Sequence, residues 1–218
     1  IIFCIGWSRL LTNDVLKIPT IGVIGYHPAL LPLNRGRHPI IWALNLGLKR
    51  TGSTFFFMNE KADSGPIISQ KIIDIEENDN ASSLYNKLIN KAKYQISEFL
   101  PLIKKGKLIA IKQNELESNY WRKRSFKDGI IDWRMSSSVI RNLIRSLTKP
   151  YSGAAFLNEE KYYTVWQSEL VNCDIENIEP GKVINVLEEN IFIIKCGSGA
   201  IKIYNIEPDI KLIKGDYI

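Results

Sequence analysis

The chain has 218 residues, 45% of them hydrophobic and 24% charged, which is the balance of an ordinary soluble globular protein with room for one or two cores. Charged and amide residues interrupt every apolar run well before the roughly 20 residues that a membrane-spanning helix needs, so no membrane partner is expected. The three cysteines, Cys4, Cys173 and Cys196, are odd in number and lack ligand spacing, which argues against a disulfide framework or structural zinc and fits a reducing cytoplasm.

In chain order, the opening IIFCIGW carries no initiator Met, no basic segment and no small-residue cleavage site. It reads as a buried strand over residues 1–5 entered in mid-fold, and the chain is expected to be truncated at its N-terminus. A second strand is expected at residues 20–26 (TIGVIGY). Between the two, LTNDVLK predicts a short helix that Asn13 or Asp14 would cap and Pro19 would stop.

Both histidines of the chain, His27 and His38, fall in the next stretch, GYHPALLPLNRGRHP (residues 25–39). Histidine changes charge near neutrality, which makes a positioned one the usual general acid or base; the alternative for either is a polar residue with no chemistry. Ile40, Ile41, Leu44 and Leu48 then recur at helical spacing, with Pro39 suited to the first turn and Gly47 or Gly52 to the exit. TGSTFFFMN and PIISQKIIDI predict strands on either side of the polar loop NEKADSG. Residues 82–102 predict a long amphipathic helix with Leu84, Leu88, Ile89, Ala92, Ile96 and Leu100 on one face.

Two parallel strands joined by helical connections suggest an open α/β sheet, whose ligands bind beyond the carboxyl ends of the strands. His27 directly follows such a strand. Asp63 lies in ADSGP, either as a turn residue bonding its own backbone or as a partner of His27, since a carboxylate beside an imidazole favours its charged form and fixes its orientation.

The texture changes near residue 105. Residues 101–150 hold 12 basic and 4 acidic residues, including Lys104, Lys105, Lys107, Arg122, Lys123 and Arg124, which suits an anionic substrate or equally a solvated face. A helix is expected in MSSSVIRNLIRSL. The alternating segments KYYTVWQSEL, GKVINVLE, NIFIIKCG and AIKIYNI then predict a small β-barrel or sandwich.

HPALLPLNRGRHPIIWALNLG followed by TGSTFFFMNEKADSGPIISQ resembles the folate-dependent formyltransferase family, whose pattern is Asn-x-His, a Leu-Leu-Pro stretch, Arg-Gly, and a later Asp-[Ser/Thr]-Gly. Here those positions are His27, Leu30-Leu31-Pro32, Arg35-Gly36 and Asp63-Ser64-Gly65. GIIDW and RSLTKPYSGA extend the resemblance over nearly the whole chain. One departure stands out: Gly25 occupies the place of the family's Asn, which would donate a side-chain amide to a developing oxyanion.

The resemblance implies a partial Rossmann-like open sheet of the formyltransferase fold, then a small β-rich, OB-like C-terminal domain. The expected domains are a catalytic domain over residues 1–104 that lacks its N-terminal part, a basic linker over 105–134, and the C-terminal domain over 135–218. It implies formyl transfer from 10-formyltetrahydrofolate, with no metal, to a primary amine. His27 would stabilise the oxyanion and move protons with Asp63 beside it. Folate contacts would come from Arg9, Leu10, Leu11, Arg37, Asn59, Glu60, Lys61, Ala62 and Asp63, and His38 receives no role.

The acceptor implied first is a nucleotide-linked amino sugar, with Arg122, Arg124, Lys149 and Tyr151 as its contacts. Trp121, Tyr151, Trp133 and Trp166 could stack on a base or sugar, although a β-rich core accounts for the last two equally well. The alternatives are methionyl-tRNA, met by the same basic stretch, and an inactive folate-binding relative. A homodimer is left open.

Overall fold

The computed structural model describes residues 1–173 and 175–218. It divides into two units, one of residues 1–43, 48–77 and 83–123, the other of residues 44–47, 78–82 and 124–218.

In the first unit the apolar opening forms β1 (Ile2–Cys4), followed by α1 (Asn13–Lys17), β2 (Val23–His27), β3 (Arg35–Gly36) and α2 (Pro39–Asn45). Next come β4 (Arg50–Phe57), β5 (Ile67–Asp74), α3 (Ala81–Lys104) and β6 (Tyr120–Trp121). Thr12, not Asn13 or Asp14, is the N-cap of α1.

The main sheet has the order β1-β2-β4-β5. Only β1 and β2 run parallel, in the register Ile2↔Val23; β2–β4 and β4–β5 are antiparallel. The parallel arrangement expected from sequence therefore stops at β2. The loop over residues 58–66 is too short for the crossover of a dozen or more residues that a parallel pair needs, so β4 and β5 close as a hairpin.

α3 lays Phe99 and Ile103 on Ile24 and Phe55 of the sheet, flanked by Tyr26, Phe57, Ile68, Ala92, Ile96 and Leu108. Its buried row runs Leu84, Leu88, Gln95, Phe99 and Ile103, so Phe99 takes the place expected for Leu100. Gln95 is fully buried among these residues because its amide is satisfied. Its Nε2 donates to the Ser53 carbonyl at 3.0 Å and to Ser69 Oγ at 2.9 Å, while its Oε1 accepts from Ser53 Oγ at 2.5 Å. Leaving such an amide unpaired would cost about 1–3 kcal/mol. Apart from the main sheet, β3 and β6 pair in parallel as a two-stranded ribbon, with Arg35 opposite Tyr120 and Gly36 opposite Trp121.

The second unit holds α4 (Ser137–Leu147) and the strands β7 (Ala154–Asn158), β8 (Lys161–Val171), β9 (Val183–Glu188), β10 (Ile191–Lys195) and β11 (Ala200–Glu207). They form one antiparallel sheet in the order β7-β8-β11-β10-β9. Ser136 caps α4 through its side chain, and the helix buries Ile140, Leu143, Ile144 and Leu147, packing on β7, β8 and β11. Three or four apolar residues on successive turns make one stripe, which is what a helix resting on a sheet requires.

Candidate active site

His27 ends β2 and is buried, and Pro28 after it turns the chain out of the sheet. The His27 Nε2 atom lies 2.7 Å from the carbonyl oxygen of Asn34. A carbonyl only accepts, so Nε2 carries the proton. The other ring nitrogen, Nδ1, faces Asp63 Oδ2 at 3.6 Å, beyond direct hydrogen-bond reach. That carboxylate oxygen accepts instead from the Gly36 amide at 2.8 Å.

Asp63 is aimed by a turn with several ties. Its φ is +53°, a left-handed conformation that Asp tolerates better than most residues. Asn59 Oδ1 accepts from the Lys61 amide at 3.0 Å and from Ser64 Oγ at 2.9 Å, which closes the loop locally. At Gly65 a Cβ would sit 1.6 Å from the Phe57 carbonyl oxygen, so the chain can pass there only without a side chain. Gln113 Nε2 then donates to the carbonyls of Asp63 and Gly65, at 2.8 and 2.7 Å.

Behind Gln113 stands Arg35, whose side chain is fully buried. Its Nη2 donates to Gln113 Oε1 at 2.8 Å, and its two terminal nitrogens reach the two Glu115 oxygens at 2.9 Å each. Nη1 also donates to the Tyr120 hydroxyl at 3.0 Å. This forked pairing is the arrangement a planar guanidinium favours with a carboxylate. It holds the Glu115 carboxyl below its ordinary range, chiefly through the hydrogen bond from Arg35.

Of the expected folate contacts, Arg9 and Leu10 are exposed and Leu11 half-buried on the segment after β1. Arg37 is tied to that segment, its Nη1 donating to the Ser8 carbonyl. Asn59, Glu60 and Lys61 are exposed and Ala62 half-buried on the β4–β5 loop beside Asp63.

The expected acceptor contacts fall in both units. In the first, the Arg122 guanidinium lies 5.3 Å from the Trp42 ring centre, and its carbonyl accepts from Trp42 Nε1 at 3.0 Å. In the second, Arg124 is buried and donates to the Asp128 carbonyl at 2.5 Å, while the Tyr151 amide donates to the Thr148 carbonyl at 3.1 Å. The Lys149 ammonium there lies 5.0 Å from the Trp166 ring centre, and Trp133 packs edge-on against Phe156. Among the described residues no group of three or more His, Cys, Asp or Glu could hold a metal ion.

Asn34, Gln113, Glu115 and Asn119 were not singled out from the sequence. Gln113 is 50 residues from Asp63 along the chain, and Asn119 is 85 from Asn34. Nothing periodic links residues that far apart: the β3–β6 pairing brings Asn119 to Asn34, and the antiparallel bridge between Ile67 and Ile111 brings Gln113 to the Asp63–Gly65 turn. Gly25 also gains an explanation. A Cβ there would meet Met58 Cγ at 2.8 Å and Phe56 Cζ at 2.9 Å, so the space for a side chain at position 25 is already filled.

Residues 1–100 match the family described as formyl transferase, and residues 124–215 match the formyl transferase C-terminal domain. The chain belongs to the formyltransferase family. This family member is 40% identical over 204 residues to the bifunctional polymyxin resistance protein ArnA of Wigglesworthia glossinidia brevipalpis, an alignment covering 93% of the chain and 30% of ArnA. It is 36% identical over 209 residues to the methionyl-tRNA formyltransferase of Caldanaerobacter subterraneus, covering 96% of the chain and 66% of that enzyme. The chain thus spans less than two thirds of either relative.

Among solved structures, the N-formyltransferase of Helicobacter canadensis, in complex with folinic acid and dTDP-3-aminofucose, superposes with a TM-score of 0.72 at 22% identity. That match covers 93% of this chain and 72% of the other. HypX of Aquifex aeolicus, in complex with tetrahydrofolic acid, gives a TM-score of 0.75 at 18% identity, over 99% of this chain and 40% of HypX. At these identities the likeness is one of fold.

Proposed function

We propose that the protein transfers a formyl group from 10-formyltetrahydrofolate to a primary amine, the amino group of a nucleotide-linked sugar. The observation that carries this reading is the His27–Asp63 pair at the end of β2, in a chain of the formyltransferase family. The attacking amine forms a new C–N bond to the formyl carbon, giving a tetrahedral oxyanion, and the bond from that carbon to the folate nitrogen then breaks. One proton must travel from the amine to the departing nitrogen. His27 Nδ1 is the ring atom open to that proton, because Nε2 is committed to the Asn34 carbonyl. Asp63 lies beside Nδ1 to stabilise the charge that develops on the ring.

The residues present fit such a donor. Trp7 and Leu10 expose 60% and 62% of their surface on the segment after β1, offering apolar area to a pteridine ring next to the backbone polar groups that Arg37 helps to hold. On this reading residues 1–104 form the catalytic domain, 105–134 a linker and 135–218 the C-terminal domain, in a cytoplasmic enzyme. Arg122, Arg124, Lys149 and Tyr151 would meet the acceptor. The sugar-nucleotide choice is supported by fold neighbours solved with dTDP-3-aminofucose or dTDP; the methionyl-tRNA alternative is supported by the relative of that name.

The test is to mix the chain with 10-formyltetrahydrofolate and either a panel of amino-sugar nucleotides or charged initiator tRNA, and to follow tetrahydrofolate release. Turnover with a sugar nucleotide alone supports the proposal, and turnover with tRNA alone replaces it by the alternative. His27→Ala should abolish turnover with folate affinity nearly intact. Folate binding without turnover on any amine would leave a folate-binding relative.

A further inference from the structure

Asn119 is held against Asn34 by two independent hydrogen bonds. The Asn34 amide donates to Asn119 Oδ1 at 2.7 Å, and Asn119 Nδ2 donates to Asn34 Oδ1 at 3.3 Å. The next residue repeats the tie through backbone, the Arg35 amide donating to the Asn119 carbonyl at 3.0 Å. Asn34 itself is left-handed, with φ +62°, a conformation that Asn tolerates better than most residues. In that conformation its carbonyl points at His27 Nε2.

We infer that Asn119 is a positioning residue that acts through the Asn34 carbonyl to lock His27 in the Nε2–H tautomer. The chain of causes is short. Asn119 fixes the backbone of residue 34, and the fixed carbonyl demands a donor. Nε2 becomes that donor, so the neutral ring presents an unprotonated Nδ1 toward the Asp63 side. A ring with the opposite tautomer would set two acceptors against each other at 2.7 Å and place its proton where the reaction needs a base. Gln113 secures the other half of the pair by holding the carbonyl of Asp63, so a single segment, residues 113–120, orients both partners. The catalytic meaning of the lock rests on the formyl-transfer reading; the tautomer itself does not.

The experiment is imidazole nitrogen NMR on the full chain, whose two histidines are assigned with His38→Gln. In the neutral ring, wild type and Asn119→Asp should show His27 protonated at Nε2, because an aspartate still accepts from the Asn34 amide. Asn119→Ala should lose that single form and show Nδ1–H alongside it. A wild-type ring protonated at Nδ1 overturns the inference, even if the alanine variant fails to fold. An unchanged tautomer in a folded Asn119→Ala protein overturns it too.

In turnover, Asn119→Ala should lower kcat about tenfold with KM for the formyl donor unchanged, the loss expected for one hydrogen bond felt only by the reacting ring. Asn119→Asp should retain the wild-type rate. The expected spectra with no turnover in any form, wild type included, would sink the formyl-transfer reading and leave the lock standing.

Discussion

Asp63 takes its hydrogen bond from Gly36 and not from His27: Oδ2 accepts from the Gly36 amide at 2.8 Å, while His27 Nδ1 stands 3.6 Å from the same atom. The carboxylate is thus anchored by backbone on β3, with the imidazole nitrogen beside it but outside hydrogen-bond reach. Substituting Asp63→Asn keeps an oxygen for the Gly36 amide and removes the charge. The variant should fold with an unchanged melting temperature and lose at least about 10²-fold in kcat for formyl transfer, the lower range for losing one partner of a general acid–base pair. A melting temperature that drops with the rate would assign Asp63 to the fold instead.

Position 25 should resist a side chain. Gly25→Asn drives a Cβ into Met58 and Phe56, and overpacking of this kind costs about 1–3 kcal/mol. Adding Met58→Ala opens the space, so the double variant should recover part of that loss in urea melts. Equal stability of Gly25→Asn and wild type would mean that the neighbouring side chains move aside freely.

The Arg35–Glu115 pair should make stability pH-dependent at the acid end. Arg35 holds the Glu115 carboxyl below its ordinary value of 4.5, so the folded state keeps it ionised after the unfolded chain has taken up a proton. The contribution is present above the ordinary value and is lost as pH falls through the lowered one. Glu115→Gln should therefore flatten the acid limb of a melting-temperature curve recorded downward from pH 6. Arg35→Met should lower the melting temperature more than Glu115→Gln does, because it removes the buried donor to Gln113 and to Glu115 together.

Cys196 should be silent to thiol reagents in the native protein. Burial pushes its thiol up to about 12, so almost no thiolate exists near neutral pH and the sulfur is shielded as well. Alkylation followed by mass mapping should find Cys196 modified only after denaturation. Rapid native labelling would contradict its place between β10 and the sharp turn at Gly197, where a Cβ would sit 1.9 Å from the Arg134 carbonyl oxygen.

Much of the fold was legible because it is written in short-range pattern. The helix expected over residues 82–102 is Ala81–Lys104, and the helix expected in MSSSVIRNLIRSL is Ser137–Leu147 with Ser136 as its cap. Gln95 escaped notice because a polar residue leaves a gap in an apolar stripe, and only its three hydrogen bonds show why it belongs inside. The strand directions after β2 escaped for a similar reason. Alternation locates a strand but not its orientation: the short 58–66 loop makes β4 and β5 antiparallel, whereas the 28–49 connection is long enough for either direction and only the pairing of β2 with β4 decides it.

By itself the sequence determined the helices and strands and the change from an α/β to a β-rich texture, and its resemblance to formyltransferases singled out His27 and Asp63 as the candidate pair. The elements follow from periodicity and turn chemistry, which are local along the chain; the pairing of His27 with Asp63 is what the family resemblance implies. Only the tertiary structure decided which ring nitrogen of His27 is committed, that Gly36 anchors Asp63, that Gln113 bonds Asp63 across 50 residues and Asn119 bonds Asn34 across 85, and that Met58 fills the space beside Gly25. Those are contacts between distant segments. They exist once β3 pairs with β6 and β4 closes on β5, and no local pattern encodes them.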